Sequence, residues 1–173
     1  MGIDPGSRFC GYGVVDSRRG GGFVHIDNGL VAPNSDDSFA NKLCHIAGEL
    51  RRLILEHRPQ AVAIEMLFYA KNVQSALKLA HARGVSMLVA AEVGLPVFEY
   101  TAGQIKQATV GHGRADKNQV QQMVRAILGL PEIAQEDASD ALAAAICHLQ
   151  FAQAPATLRE AMKLASSKKR SRR

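Results

Sequence analysis

The sequence has no long apolar run, and no stretch approaches the roughly 20 residues that a helix needs to cross a bilayer. No basic segment followed by an apolar one opens the chain, so no signal peptide is expected. The three cysteines, Cys10, Cys44 and Cys147, are far apart and form no CxxC pair. This spacing indicates reduced thiols in a cytoplasmic protein with no membrane partner, rather than a disulfide framework or a zinc site.

Two familiar kinds of catalytic motif are also missing from the sequence. No spacing of histidines suggests a zinc enzyme, and no GxxxxGKS or GxxxxGKT loop suggests an NTPase. An actin-like ATPase, whose phosphate loop resembles Asp-x-Gly, needs two such domains, and 173 residues cannot hold both. The length and the 47% hydrophobic content instead suit one compact domain with a core.

The net charge of +5 is concentrated at the C-terminal end of the chain. Residues 159–173 contain seven Lys or Arg and one Glu, a net charge of +6. Residues 1–158 contain 14 Lys or Arg and 15 Asp or Glu, a net charge of −1. We therefore expect a nearly neutral folded domain over residues 1–152 and a basic, disordered tail over residues 153–173. Charge alone argues only weakly for a nucleic-acid partner.

The pattern of apolar residues predicts an α/β fold with a mixed five-stranded sheet, in which three antiparallel strands are followed by parallel additions, flanked by helices. After the short lead to Asp4, strands are predicted at Cys10–Asp16, Phe23–Val31, Ala61–Glu65 and Pro96–Tyr100, and helices at Phe39–His57, Val73–Val93, Ala102–Val110, from Lys117 to Leu128, and from Glu136 onward. Within the second strand, Gly11 and Gly13 favour a β-bulge, the alternative being a place where a ligand's backbone comes close.

The predicted helix Val73–Val93 is apolar on almost every side. A helix of this kind must be covered on both faces. The sheet can cover one face, and a second subunit is a natural cover for the other. Leu77, Ala80 and Leu88 are candidates for the outward face.

Four acidic residues stand at positions typical of a metal site. Asp4 follows a short apolar lead, Glu65 ends an apolar run, and Asp137 and Asp140 are three apart on one face of a helix's first turn. Taken singly, Asp4 could cap the turn at Pro5, and the two helical aspartates could complement the helix dipole. Together, clustered carboxylates need cations, and Mg²⁺ prefers oxygen ligands. Two such ions about 3.5–4 Å apart can hydrolyse a phosphodiester, so the pattern predicts a metal-dependent nuclease.

Several segments carry a resemblance to a known family. They are GIDPGS at 2–7, GYGVV at 11–15, AIE at 63–65, SALKLAHARG at 75–84, PVFEY at 96–100, IKQATVGHG at 105–113, ADKNQV at 115–120 and DASDALA at 137–143. In this order, over residues 2–150, they resemble the RuvC family of Holliday-junction resolvases. Those proteins are crossover-junction endodeoxyribonucleases with an RNase H-like fold.

The resemblance implies a role for individual residues. Asp4, Glu65, Asp137 and Asp140 match the four catalytic acids, of which the first three are the implied Mg²⁺ ligands, with two ions per site and Mn²⁺ as a substitute. The implied DNA-binding residues are Phe68, Lys71, Lys106 and Lys117. Both Lys106 and Lys117 match contacts to the junction backbone, and Phe68 matches an aromatic that engages an unpaired base. Core packing is the alternative for Phe68.

The resemblance also implies an assembly. A homodimer would nick two opposed strands of four-way junction DNA in recombination and repair, together with a junction-binding protein and a branch-migration ATPase. The alternative is a non-catalytic junction-binding module, which would need the basic residues but not all four acids. Family members usually have several apolar residues before the GID triplet. Here the expectation is either a start upstream of Met1 or a cost in stability.

Overall fold

The strands of the chain form one mixed sheet, seen in a computed structural model that describes residues 1–18, 20–66 and 73–154. The strands are β1 (Gly2–Asp4), β2 (Cys10–Ser17), β3 (Phe23–Val31), β4 (Val62–Glu65) and β5 (Val97–Tyr100). Their order across the sheet is β3-β2-β1-β4-β5. The first three strands pair antiparallel, and β4 and β5 join in parallel, as the sequence predicts.

Five helices cover this sheet within the described residues. They are α1 (Phe39–His57), α2 (Val73–Glu92), α3 (Ala102–Val110), α4 (Lys117–Leu128) and α5 (Glu136–Gln153). Apolar side chains of α1 and α2 pack with one face of the sheet, and those of α3, α4 and α5 pack with the other. The predicted α/β class, with helices on both faces of a mixed sheet, is confirmed.

The helix ends follow local sequence chemistry. Thr101 and Asp116 begin α3 and α4, each with a capping box in which its side chain accepts from a backbone N–H three residues later. Gly129 ends α4 in the left-handed conformation, with φ of 64°. These caps fix where α3 and α4 begin, and with them where Lys106 of α3 and Lys117 of α4 lie.

Alternation along β1 and β4 sorts their side chains between the two faces. Ile3 and Ile64 lie in the core formed with α1 and α2. Because successive strand residues point to opposite faces, Asp4 and Glu65 face the side covered by α5. Two buried strands thus each deliver one carboxylate to the same layer.

The predicted bulge at Gly11 or Gly13 is wrong, because the register shift between β2 and β3 lies between Val14 and Val15. Gly11 is instead a site of close approach by the chain's own backbone, that of α5. A Cβ added there would lie 2.1 Å from the backbone oxygen of Asp137, and one added at Gly2 would lie 1.8 Å from that of Ala141. Only glycine lets α5 pack this closely on β1 and β2.

Three further expectations concern the cysteines, membrane spans and the C-terminal tail. All three cysteines are unpaired. None of the helices in the described part of the chain is long and apolar enough to cross a membrane. The last described helix ends at Gln153, while residues 155–173, which hold most of the predicted tail, lie outside the described residues. The division after residue 152 therefore stays a prediction.

Candidate active site

Asp4 and Glu65 lie at the same edge of the sheet, at the carboxyl ends of β1 and β4. These strands pair in parallel, with Gly2 opposite Ala63 and Ile3 opposite Ile64. The next residue on each strand is an acid. Parallel strands end together, so the pairing sets the two carboxylates side by side on the α5 face.

Asp137 reaches the same edge through the packing of α5. It lies in the first turn of that helix, where its backbone N–H donates to the side chain of Gln135 at 2.9 Å. Gly11, whose missing side chain admits the Asp137 backbone, pairs directly with Asp4 across β1 and β2. Asp140 follows three residues later, about one turn along the same helix face.

The electrostatics of Asp4 show how tightly the four acids are grouped. Burial, followed by the nearby carboxylates of Asp140, Asp137 and Glu65, raises the pKa of Asp4 from 3.8 to about 7. The ammonium of Lys117 opposes that rise. A carboxyl group in this position is costly to ionise unless positive charge is brought to it.

The neighbouring acids are perturbed in the same direction. Burial and then Asp140 raise the pKa of Glu65, against the opposing charges of Lys106 and Lys117. Burial also raises the pKa of Asp137, which Asp140 raises further while Lys117 lowers it. The acids therefore interact as one group, and both lysines belong to their electrostatic environment.

A pocket of about 260 Å³ opens beside these acids. Its lining combines two acids, two lysines and a short apolar wall: Glu65, Asp140, Lys106, Lys117, Ala102, Ile105 and Val120. Lys117 forms ion pairs with Asp140 at 2.9 Å and with Glu136 at 2.5 Å. The pocket thus brings two carboxylates and two ammonium groups together, a combination suited to a metal ion together with a phosphate.

The donor set fits a hard divalent cation, although the side chains as they stand do not form a finished site. Among the described residues, no three Asp, Glu, His or Cys side chains are arranged so that they could hold a metal ion. The four carboxylates nevertheless offer the oxygen ligands that Mg²⁺ and Mn²⁺ prefer. Burial and then the three neighbouring acids raise the pKa of Asp4, so positive charge brought to this cluster would favour its ionised form.

Two of the sequence-predicted DNA-binding residues cannot be placed. Phe68 and Lys71 lie outside the described residues. Lys106 and Lys117 both line the pocket beside Glu65 and Asp140. Six of the eight predicted site residues are thus gathered at one edge of the sheet.

Sequence reasoning missed two residues at this site. Glu136, the partner of Lys117, directly precedes Asp137, and the extra acid in Glu136-Asp137 was the available signal. Arg83 of α2 donates through Nε to the backbone oxygen of Glu65 at 3.4 Å and pairs with Glu99 of β5. Its role depends on tertiary packing, and no local pattern marks it.

Comparison with known proteins agrees with this geometry. The family model described as "Crossover junction endodeoxyribonuclease RuvC" matches residues 1–148. A protein of that name from Geobacter sp. strain M21 is 55% identical over 159 residues, which cover 92% of this chain and 96% of the relative. Another, from Citrifermentans bemidjiense, is 56% identical over 152 residues, covering 88% and 92% of the two chains.

One solved structure is similar to the chain in both fold and sequence. Thermus thermophilus RuvC in complex with Holliday junction substrate has a TM-score of 0.83 and 35% identity, and the match covers 88% of this chain and 93% of that one. The yeast mitochondrial Holliday junction resolvase Ydc2 has a TM-score of 0.60 at 12% identity, over 84% of this chain and 76% of that one. This second likeness concerns the fold alone.

Proposed function

The chain belongs to the RuvC family of crossover junction endodeoxyribonucleases, and from that membership we propose that it resolves four-way DNA junctions by metal-dependent hydrolysis at the Asp4–Glu65 edge of its sheet. Its fold is the RNase H-like fold of its solved relatives. The observation that carries the proposal is the grouping of four mutually interacting carboxylates at one edge of the sheet, where Glu65 and Asp140 line a pocket together with Lys106 and Lys117.

We propose that Asp4, Glu65 and Asp137 hold the metal, with Mg²⁺ as the natural ion and Mn²⁺ as a substitute. Asp140 supports the same site, either as a ligand or by orienting one. Two ions bound here would activate a water and stabilise the leaving oxygen of a phosphodiester. The protein's own contribution is to hold the carboxylates at the ends of two strands and on a helix whose backbone packs directly against Gly11.

The lysines supply the complementary contacts to DNA. Lys106 and Lys117 face the pocket from α3 and α4, where an ammonium can bind a backbone phosphate next to the acids. Such contacts set the position of the strand without reading its sequence. We propose the same class of contact for Lys71, and base stacking for Phe68.

A junction with two equivalent strands is matched by a two-fold dimer. Thermus thermophilus RuvC is seen bound to a Holliday junction substrate, and we propose that this chain binds junctions as a homodimer making paired nicks. The outer face of α2 is the proposed interface, because Leu77 and Leu88 are 55% and 56% exposed there. We also propose that the chain works in the cytoplasm, together with a junction-binding protein and a branch-migration ATPase.

The decisive experiment incubates the protein with a synthetic four-way junction and with a linear duplex of the same sequence. Mg²⁺, Mn²⁺ and EDTA are compared for each DNA. We expect nicks at symmetric positions of opposed strands in the junction, only with a divalent ion. Equal cleavage of both DNAs would indicate an unspecialised nuclease, and junction binding without cleavage would indicate a non-catalytic module.

A further inference from the structure

The side chain of Lys117 places an ammonium against two acids of α5. Its Nζ lies 2.9 Å from Oδ2 of Asp140 and 2.5 Å from Oε1 of Glu136, so one ammonium bridges two residues of α5. The Lys117 side chain is 48% exposed and that of Asp140 is 29% exposed. The ion pair is partly exposed to solvent and therefore weak, so Lys117 can exchange Asp140 for another anionic partner.

The positive charge of Lys117 reaches beyond its direct partners. Burial is the main cause that raises the pKa of Asp4, Glu65 and Asp137, and Lys117 opposes the rise at all three. One ammonium therefore partly neutralises the whole carboxylate group. A divalent cation bound to these acids would perform the same task and would meet Lys117 at Asp140.

Lys106 provides a contrast within the same pocket. It lines that pocket and opposes the rise in the pKa of Glu65, so its charge is also felt by the acids. Within the part of the chain that the structure describes, however, Lys106 forms no ion pair with an acid, whereas Lys117 forms two. Comparing the two lysines therefore distinguishes a general electrostatic effect on the acids from a direct ion pair with a carboxylate oxygen.

We propose that Lys117 is a built-in counter-ion that competes with the divalent cation for Asp140, and that Glu136 is the positioning residue that retains the displaced ammonium. This rests on the proposed function in one respect, that the metal binds among these acids with Asp140 as one of its ligands. A DNA phosphate that draws Lys117 away from Asp140 would favour metal binding. Substrate and metal would then strengthen each other's binding through a single side chain.

The proposal predicts that removing Lys117 tightens metal binding while harming catalysis. Mn²⁺ is titrated into DNA-free protein, and free Mn²⁺ is counted by its electron paramagnetic resonance signal. Lys117→Met should lower the dissociation constant roughly three- to tenfold, as expected for release of a partly exposed ion pair. Lys117→Arg keeps the charge and should bind Mn²⁺ like the wild type. Cleavage of junctions by Lys117→Met should fall.

Matched variants identify the cause. Lys106→Met removes a nearby charge without freeing a ligand oxygen, so its effect should be clearly smaller. Lys42→Met, whose lysine bonds the backbone oxygen of Ser35 at 2.6 Å, should have no effect. Equal tightening by Lys106→Met and Lys117→Met would overturn direct competition in favour of general electrostatics.

The role of Glu136 is tested in both backgrounds. Glu136→Gln should weaken Mn²⁺ binding in the wild type, because the displaced ammonium loses its second partner. In the Lys117→Met background the same change should have little effect, since Glu136 would have no ammonium left to retain. Independent, additive effects would remove Glu136 from the proposal.

Asp4→Asn separates the two levels of the argument. If Mn²⁺ binding survives this change undiminished, the ion binds elsewhere, and both the proposed metal site and the competition are wrong. If binding is lost in Asp4→Asn but unchanged in Lys117→Met, the metal site stands and the competition is wrong. Circular dichroism confirms folding, and Lys117→Gln replaces Lys117→Met if the latter is unfolded.

Discussion

Asp4 is the residue on which the proposed chemistry depends most, because it lies on the central strand and feels the charges of the other three acids. Changing Asp4 or Glu65 to the matching amide keeps the shape and removes the charge that a cation requires. We expect cleavage to fall about 100-fold or more, since metal ions contribute several kcal/mol to transition-state stabilisation. Junction binding in Ca²⁺ or EDTA should remain. Single-turnover cleavage and binding titrations measure the two effects separately.

Asp140→Asn is the internal comparison for this prediction. Asp140 is held by Lys117, so its amide should cost less activity if the residue only orients the site, as supporting groups often cost 10–100-fold. Near wild-type cleavage by Glu65→Gln would contradict the assignment of the metal site.

The same residue predicts how stability varies with pH. Since folding raises the pKa of Asp4 from 3.8 to about 7, the folded protein keeps a proton that the unfolded chain loses between these values. The stabilisation from protonated Asp4 is complete below about pH 4 and is lost as pH rises through 7, a change on the order of 4 kcal/mol. Urea denaturation in EDTA, compared between wild type and Asp4→Asn across this window, measures it.

Mg²⁺ supplies the control for the pH prediction. At pH 8 the ion should stabilise the wild type more than Asp4→Asn, because it neutralises the carboxylate that has become ionised. A difference between the two proteins that stays constant from pH 4 to pH 8 would contradict the raised pKa.

At the scale of elements, the contact between α5 and β2 decides whether the acids meet. Gly11→Ala would place a Cβ 2.1 Å from the backbone oxygen of Asp137, so the helix must move outward. We expect a loss of roughly 1–3 kcal/mol in the free energy of unfolding, as for other overpacked cores. Cleavage should fall by more than stability explains, because Asp137 moves with the helix.

Gly48→Ala, in the middle of α1, is the matched control for Gly11→Ala. A Cβ at Gly48 meets nothing within 4 Å, so the change should raise stability by about 0.5–1 kcal/mol through helix propensity. Urea denaturation and junction cleavage are measured on both variants. Equal behaviour of the two would mean that the close approach of α5 does not constrain the site.

The other element with a functional consequence is α2. Its buried residues, Ala82, Ser86, Val89 and Ala90, lie on one face, while Leu77 and Leu88 are exposed three turns apart on another. Leu77→Asp or Leu88→Asp should split the proposed dimer, because a desolvated, unpaired charge opposes association. Sedimentation velocity checks this. Leu55→Asp on α1, also at an exposed leucine, should leave the assembly unchanged.

If both α2 variants stay folded and dimeric, the interface must lie elsewhere. The contacts of Arg83 also link this element to the proposed site, since Arg83 joins α2 to the backbone of Glu65 and to Glu99. A dimer formed through α2 would therefore use the same helix that contacts the strand carrying Glu65, one of the proposed metal ligands.

At the scale of the whole molecule, the sequence predicts the elements well and their mutual approach less well. Strand and helix bounds follow from local periodicity and caps, as with Thr101 and Gly129. The placement of Asp4 beside Glu65 follows from alternation and parallel pairing. Contacts between residues far apart in the sequence are not predicted. The local pattern at Gly11 indicates a bulge, because the helix that packs on this glycine is over 120 residues away in sequence.

The Lys117–Glu136 pair escapes prediction for the same reason. Nothing local to either residue shows that α4 and α5 bring them within 2.5 Å. Spacing predicts which acids share an edge of the sheet, but not which basic side chain forms ion pairs with them. Individual ion pairs between elements depend on packing that no short pattern encodes.

The charge distribution of the whole chain gives the last prediction. The five Lys and Arg residues between 168 and 173 lie outside the described structure, but their charge is known from the sequence. Each DNA phosphate that they neutralise should steepen the salt dependence of binding by about 0.9 in log–log slope for duplex DNA. Since phosphate contacts carry no sequence information, the effect should be alike for junction and linear duplex.

Two variants test the tail. One lacks residues 166–173, and the other keeps the full length with those five basic residues changed to Gln. Both should flatten the salt slope equally and weaken binding to both DNAs, while single-turnover cleavage at saturating protein stays nearly unchanged. A flatter slope in the truncated protein alone would indicate that length matters rather than charge. An unchanged slope in both would assign the whole phosphate footprint to residues of the nearly neutral domain, with Lys106 and Lys117 at its centre.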